Sequence, residues 1–166
     1  MSPQEKYVEL YKEMAILCEE QDWGDPFSYA RSKEIYATCA LGHTMPGPSD
    51  YSGADAINKH GRGVEYKSTI GPRVKGSYTG ISVQPTWDEQ VKYLRERKIL
   101  PYDEHFFNRF QDGELVESWV LTGQQVYDIL VPKLEKKFAT VSSNKDPRLS
   151  ADVTNSDIKK FGKRVL

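Results

Sequence analysis

The chain has 166 residues, 38% of them hydrophobic, and a net charge of −1; this suits one compact domain with its own core and leaves too little chain for two. No basic leader followed by an apolar run opens the sequence, and no apolar stretch approaches the roughly 18 residues of a membrane span, so a soluble, cytoplasmic protein is expected. The two cysteines, Cys18 and Cys39, fall in helical patterns without paired metal-ligand spacing, which argues for buried reduced thiols and against a zinc centre.

In chain order, Ser2-Pro3-Gln4-Glu5 reads as an N-cap, a proline at the first helical position and a capping-box glutamate, so a helix starts at Pro3. Tyr7, Leu10, Tyr11, Met14, Leu17 and Cys18 follow at helical spacing and are expected to form a buried stripe opposite an acidic face. Asp22 to Gly24 breaks the pattern, and Asp25-Pro26 starts a second helix that runs to Leu41, with Gly42 as its stop. His43 to Ser52 carries two prolines, Gly47 and two serines and reads as loop.

Ala54 to Ile57 reads as a short strand, Asn58 to Arg62 as a turn, and Gly63 to Thr69 as a second strand in which Val64 and Tyr66 alternate with Glu65 and Lys67. Ile70 to Gly80, with three glycines and Pro72, reads as a flexible loop carrying Arg73 and Lys75. Ile81 to Gln84 should be a short strand, with Gln84 facing the same side as Glu65 and Lys67, and Thr86 caps a helix from Trp87 to about Lys98. From His105 to Leu121 two strand-like runs meet at Asp112-Gly113, the strongest hairpin signal in the chain, and Phe106, Phe107, Phe110, Leu115, Trp119 and Val120 supply core bulk. Thr122 caps a further helix that Pro132 should kink or end. Ala139 to Asp157 is polar, and Asn155-Ser156-Asp157 caps a short last helix through Phe161.

Charge is distributed unevenly. Residues 1–30 hold two lysines against seven acids, a net −5, whereas Lys59 to Tyr78 hold five cations against Glu65, a net +4. Residues 139–166 hold six cations against three acids, a net +3, through Lys159, Lys160, Lys163 and Arg164 among others. Local cation density of this kind is what a phosphate backbone requires; the C-terminal segment reads equally as a phosphate-gripping tail or a solubilising one.

Glu65 and Lys67 share a strand face, roughly 7 Å apart along it, and the turn at Asn58–Arg62 brings Asp55 beside Glu65. Two hard carboxylates and an adjacent ammonium are what metal-assisted phosphodiester hydrolysis uses: the carboxylates hold Mg²⁺ with its waters, and the ammonium helps activate the attacking water. Asp55 and Glu65 are the expected metal ligands, with a backbone carbonyl near Tyr66 as a further oxygen donor and Lys67 as the partner of the water. Asp50, in Pro48-Ser49-Asp50, is a competing first ligand, but the strand-like flanks of Asp55 favour the latter. His43, His60 and His105 lack the spacing of a histidine-based nuclease or zinc site.

Asp55, nine intervening residues and then Glu65-Tyr66-Lys67 resembles the PD-(D/E)xK phosphodiesterase superfamily, which contains most type II restriction endonucleases. The resemblance covers the middle third of the chain, and Ala54 stands where that family often has proline. It implies an α/β fold with a central mixed β-sheet flanked by helices, a restriction-endonuclease-like core, and an extra acid from a packed helix, for which Glu34 is the candidate; Glu34 also reads as part of a charged helix surface with Arg31 and Lys33. The implied organisation is a single nuclease domain with N-terminal helices in 1–42, the catalytic sheet and its helices in 53–137, and a basic C-terminal segment in 138–166.

The function expected is Mg²⁺-dependent cleavage of double-stranded DNA, with Mn²⁺ as a substitute ion, most simply by a homodimeric type II restriction endonuclease. A structure-specific nuclease and a non-catalytic nucleic-acid binding module are the alternatives. Asp55, Glu65, Lys67 and Glu34 are the expected catalytic residues, and Arg62, Arg73, Lys75, Gln84, Lys159 and Lys160 the expected DNA contacts.

Overall fold

Helix α1, Pro3–Glu20, starts at the expected cap: Ser2 Oγ accepts from the amide of Glu5 at 3.2 Å, and Glu5 Oε2 accepts from the amide of Ser2 at 2.6 Å. The computed structural model, which describes residues 1–47, 53–141 and 147–166, departs from expectation on the next point. The stripe of Tyr7, Leu10, Tyr11, Met14 and Leu17 is 43 to 68% exposed, and of the six only Cys18 is buried. Helical periodicity reports an apolar face and says nothing of what lies against it. Here the segment after the helix stacks Phe27 on Tyr11, ring centroids 3.6 Å apart, and leaves the rest open.

Helix α2 spans Arg31–Ala40 and starts later than the Asp25-Pro26 signal. The Asp25 carboxylate instead accepts from the amide of Phe27 at 2.9 Å, a local turn, and Tyr29 sits at φ +47°, outside the helical region. Its C-terminus closes as expected: Gly42 has φ +68°, its amide donates to the Cys39 carbonyl, and that of His43 donates to the Thr38 carbonyl at 2.9 Å. Both cysteines are free thiols, but Cys39 is exposed, against the expectation that both are buried. Asp50 lies outside the described residues.

Strands β1 (Ala56–Ile57) and β2 (Gly63–Thr69) pair antiparallel around the turn. Strand β3, Gly76–Ser82, follows, then helix α3, Trp87–Tyr93, which Thr86 caps and which ends in a π-helical turn over Leu94–Lys98. Strands β4 (Glu104–Gln111) and β5 (Glu114–Thr122) form the hairpin, with Asp112 and Gly113 at φ +51° and +81° as a primed turn needs. Helix α4, Gly123–Val141, runs through Pro132 without ending there; Leu130 and Leu134 are fully buried on either side of it, and this packing outweighs the missing hydrogen bond. Strand β6 (Arg148–Val153), helix α5 (Asn155–Phe161, capped by Thr154 rather than by Asn155 to Asp157) and strand β7 (Lys163–Arg164) complete the order.

The result is a mixed α/β architecture. Among the described residues one sheet has the order β1-β2-β4-β5-β7, with β2 and β4 parallel and the other neighbours antiparallel, and β3 pairs with β6 as a separate antiparallel ribbon. The ribbon corrects two expectations: Ile70–Gly80 is not all loop, and the polar C-terminal stretch contains a strand with Leu149, Ala151 and Val153 turned inward. Neighbouring β4 residues face opposite sides. Phe106 packs with Ala37, Val64 and Tyr66 beneath α2, and Phe107 packs with Tyr78, Leu94, Leu121 and Leu130 in the larger core. Gly76 is required where the ribbon crosses the sheet, since a Cβ there would lie 2.2 Å from Cε1 of Phe107 and 3.3 Å from Cγ of Lys67.

Candidate functional site

The alternation of β2 divides its residues as the sequence indicates. Val64 and Tyr66 enter the core beneath α2, while Glu65 and Lys67 face the ribbon. That second face is not solvated sheet: the Glu65 and Lys67 side chains are 17% and 23% exposed, joined by a 2.5 Å ion pair. The Lys67 ammonium also lies 4.8 Å from the centre of the Tyr78 ring on β3, a cation–π contact. Asp55, just before β1, is tied in from the backbone, its amide donating to the Val64 carbonyl at 3.0 Å and its Oδ2 accepting from the Tyr66 amide at 2.8 Å. The turn thus brings together the three residues it was expected to bring together.

Electrostatics distinguish Asp55 from an ordinary surface acid. Burial, and after it the charges of Glu65 and Glu34, push its carboxyl up to about 8. Glu34 reaches the same field from α2. Its side chain is 14% exposed, it pairs with Arg31 at 3.1 Å, and its pKa is raised by burial, with Glu65 adding to the effect. The solvated-surface reading of Glu34 is therefore wrong: it is a half-buried acid that interacts with Asp55, Glu65 and Lys67.

Asp55, Glu65 and Lys67, but not Glu34, open into a cleft of about 300 Å³ lined also by Gly53, Ser77, Tyr78, Thr79, Ile81, Arg97, Lys98, Ile99 and Tyr102. Sequence reasoning did not single out Arg97, Lys98, Tyr78 or Tyr102. The run Arg95-Glu96-Arg97-Lys98 at a helix end was the available signal for the first two; the two tyrosines had none, because their place depends on the ribbon and on Tyr102 donating to the Gly53 carbonyl at 3.2 Å.

The proposed DNA contacts are placed less uniformly. Arg62 pairs with Asp103 at 2.7 Å and Lys75 with Asp152 at 3.4 Å, and Arg73 is exposed on the loop leading to β3. Gln84 lies beyond β3, its amide donating to Oε1 of the buried Gln90 at 2.8 Å, and it does not line the cleft. Lys159 and Lys160 sit on α5, whose Ile158 is buried in the larger core; the following β7 forms the far edge of the sheet from β1, so the structure does not bring these lysines to the cleft.

No protein-family model matches the chain, and no curated protein matches its sequence. Among the described residues no group of three or more His, Cys, Asp or Glu is arranged to hold a metal ion. Mg²⁺ commonly takes only one or two carboxylates and keeps several waters. Asp55 and Glu65, with Glu34 nearby, are crowded enough that burial and mutual repulsion disfavour ionised Asp55; a divalent cation relieves that repulsion, so the donor set fits this ion.

Proposed function

We propose that the protein is a Mg²⁺-dependent endodeoxyribonuclease with a restriction-endonuclease-like core, and within that class a type II restriction endonuclease. The observation that carries the reading is the convergence of Asp55, Glu65 and Lys67 in one cleft at the β1–β2 edge, half-buried and with Lys67 ion-paired to Glu65.

Asp55 and Glu65 would hold the ion, with the Tyr66 carbonyl as a further oxygen. When bound, the ion supplies positive charge against the charge that develops on the phosphorus oxygens and acidifies a water. Lys67 would donate a hydrogen bond to the attacking oxygen and stabilise its charge as its proton passes to solvent. The P–O bond to the leaving sugar oxygen breaks with that oxygen taking a proton from solvent, and the Tyr78 ring beneath the ammonium holds Lys67 across the cleft. Glu34 adds negative field that favours cation binding. Arg97 and Lys98 at the cleft wall grip the flanking phosphates. Two copies of the chain would present two such centres, the simplest way to cut both strands of a palindromic site.

The test is incubation with plasmid and phage DNAs, with Mg²⁺ and with chelator, resolved on a gel. Discrete metal-dependent fragments support the restriction-enzyme reading. Cleavage confined to branched DNA redirects it to a structure-specific nuclease, and intact DNA throughout overturns it. Lys67→Ala should lower the cleavage rate by about 10³-fold or more with DNA binding retained; normal cutting by that variant removes Lys67 from the mechanism.

A further inference from the structure

The open face of α1 has a pattern that helical amphipathicity alone does not require. Tyr7, Leu10, Met14 and Leu17 follow one another at steps of three, four and three, the spacing of the seam positions of a two-stranded coiled coil, and all four are exposed. Ala15 and Cys18 are the residues of the helix drawn out of full exposure, while Phe27 stacks on Tyr11. The seam is left uncovered. Helices in proteins draw most of their stability from packing of an amphipathic face, so covering this face contributes directly to whether α1 stays formed.

We propose that α1 pairs antiparallel with α1 of a second copy of this chain, Tyr7 against Leu17 and Leu10 against Met14, about a two-fold axis. Charge complementarity selects this occupant and direction. On one flank of the seam the helix carries Lys6, Glu13 and Glu20, and the exposed Lys6 ammonium, paired with Glu9 of its own helix at 2.8 Å, exchanges that contact for Glu20 of the second copy. Antiparallel pairing sets Lys6 of each copy against Glu20 of the other, a contact made twice by symmetry. Glu13 meets its own counterpart near the axis, the one like-charge pair. On the other flank Tyr11, carrying Phe27, meets Tyr11 of the second copy. A parallel arrangement sets Lys6 against Tyr11 and Glu13 against Cys18, with no opposite charges facing. The net −5 of residues 1–30 disfavours nucleic acid on this surface, and glutamates where an interfacial helix carries lysine and arginine disfavour a lipid surface.

The interface lies on an element that supplies nothing to the Asp55–Glu65–Lys67 cleft, and its test reads mass rather than cleavage, so a failure of the α1 pairing is told apart from a failure of metal-dependent cleavage. Sedimentation velocity of the full chain over about 1 to 100 µM, a range suited to a seam of four layers, should show a concentration-dependent species of twice the 19.0 kDa chain mass. Leu10→Asp and Met14→Asp, at exposed positions, should give a monomer with unchanged near-UV circular dichroism. Lys6→Glu should weaken the dimer by roughly 3- to 10-fold, as expected for two exposed ion pairs, and Lys6→Glu combined with Glu20→Lys should restore it. Glu13→Gln should tighten it. A monomer at every concentration overturns the proposal, as does a dimer that Leu10→Asp leaves intact; a Lys6→Glu, Glu20→Lys double variant no better than Lys6→Glu overturns the antiparallel register.

Discussion

The hydroxyl of Tyr78 and Nδ1 of His105 meet at 2.8 Å beneath the ammonium of Lys67. The other ring nitrogen, Nε2, lies 2.9 Å from the Ile99 carbonyl, which can only accept. Nε2 therefore carries the proton of the neutral ring, and Nδ1 accepts from Tyr78. Burial holds the imidazole at about 4, well below its ordinary range. One chain of contacts thus runs from the π-helical turn through β4 to the ring on which Lys67 rests.

That chain gives a pH dependence of stability. The folded protein keeps His105 neutral while the unfolded chain protonates it near 6.5, so the unfolded state binds more protons between those values. Stability is complete above about 6.5 and falls as pH drops toward 4, by up to about 3 kcal/mol. Urea unfolding from pH 7 to 4.5 should show this slope, and His105→Asn should flatten it while lowering stability at pH 7. An unchanged slope in the variant would assign the acid sensitivity to other groups.

Asp55 gives the opposite sign. Its carboxyl is raised to about 8 in the fold, so the native state binds more protons than the unfolded chain between about 4 and 8, and ionisation reduces stability as pH rises through that window. Asp55→Asn should melt a few degrees higher than the parent at pH 8 in chelator, of the order that 1 kcal/mol provides. Mg²⁺ should raise the melting temperature of the parent and not of the variant. A variant that melts lower would show that this carboxylate is not under electrostatic strain.

Gly76→Ala tests the crossing of ribbon and sheet. The added Cβ would meet the Phe107 ring at 2.2 Å and the Lys67 stem at 3.3 Å, and overpacking of a tight core costs typically about 1–3 kcal/mol. Loss of stability on that scale in denaturant unfolding is the expected outcome; a neutral substitution would mean that the ribbon can lift from Phe107.

Cations at the cleft and across the sheet should behave differently. Arg97→Ala and Lys98→Ala should each weaken DNA binding and lower the slope of log affinity against log salt by about 1. Lys159→Ala and Lys160→Ala should change neither. A salt slope that responds only to the α5 lysines would move the DNA-binding face to the far edge of the sheet.

Local signals were strong where the structure depends on local chemistry. The strand Gly63–Thr69, the Asp112-Gly113 hairpin and the Ser2 and Thr86 caps follow from alternation, turn residues and side-chain oxygens that act within a few residues. The ribbon was hidden because Gly76, Gly80 and their polar neighbours resemble loop, and the partner that makes β3 a strand lies far along the chain in β6. The same cause hid half of the cleft: Asp55, Glu65 and Lys67 are legible from one hairpin, whereas Tyr78, Arg97 and Tyr102 reach it only through contacts between elements distant in sequence. For Glu34 the sequence leaves two readings open, because a helical charge pattern cannot show whether an acid on it is solvated or buried near another acid.

The ribbon also sets an order of assembly. Ser77, Tyr78, Thr79 and Ile81 form one wall of the cleft, and β3, which carries them, pairs with β6. A chain emerging from the ribosome holds Asp55, Glu65 and Lys67 long before residues 148–153 exist, so the acids and the lysine are made first and the surface that closes over them is made late. The cleft is closed on this side only once residues 148–153 have been made, so Asp55, Glu65 and Lys67 stand without this wall for the whole interval between the two segments.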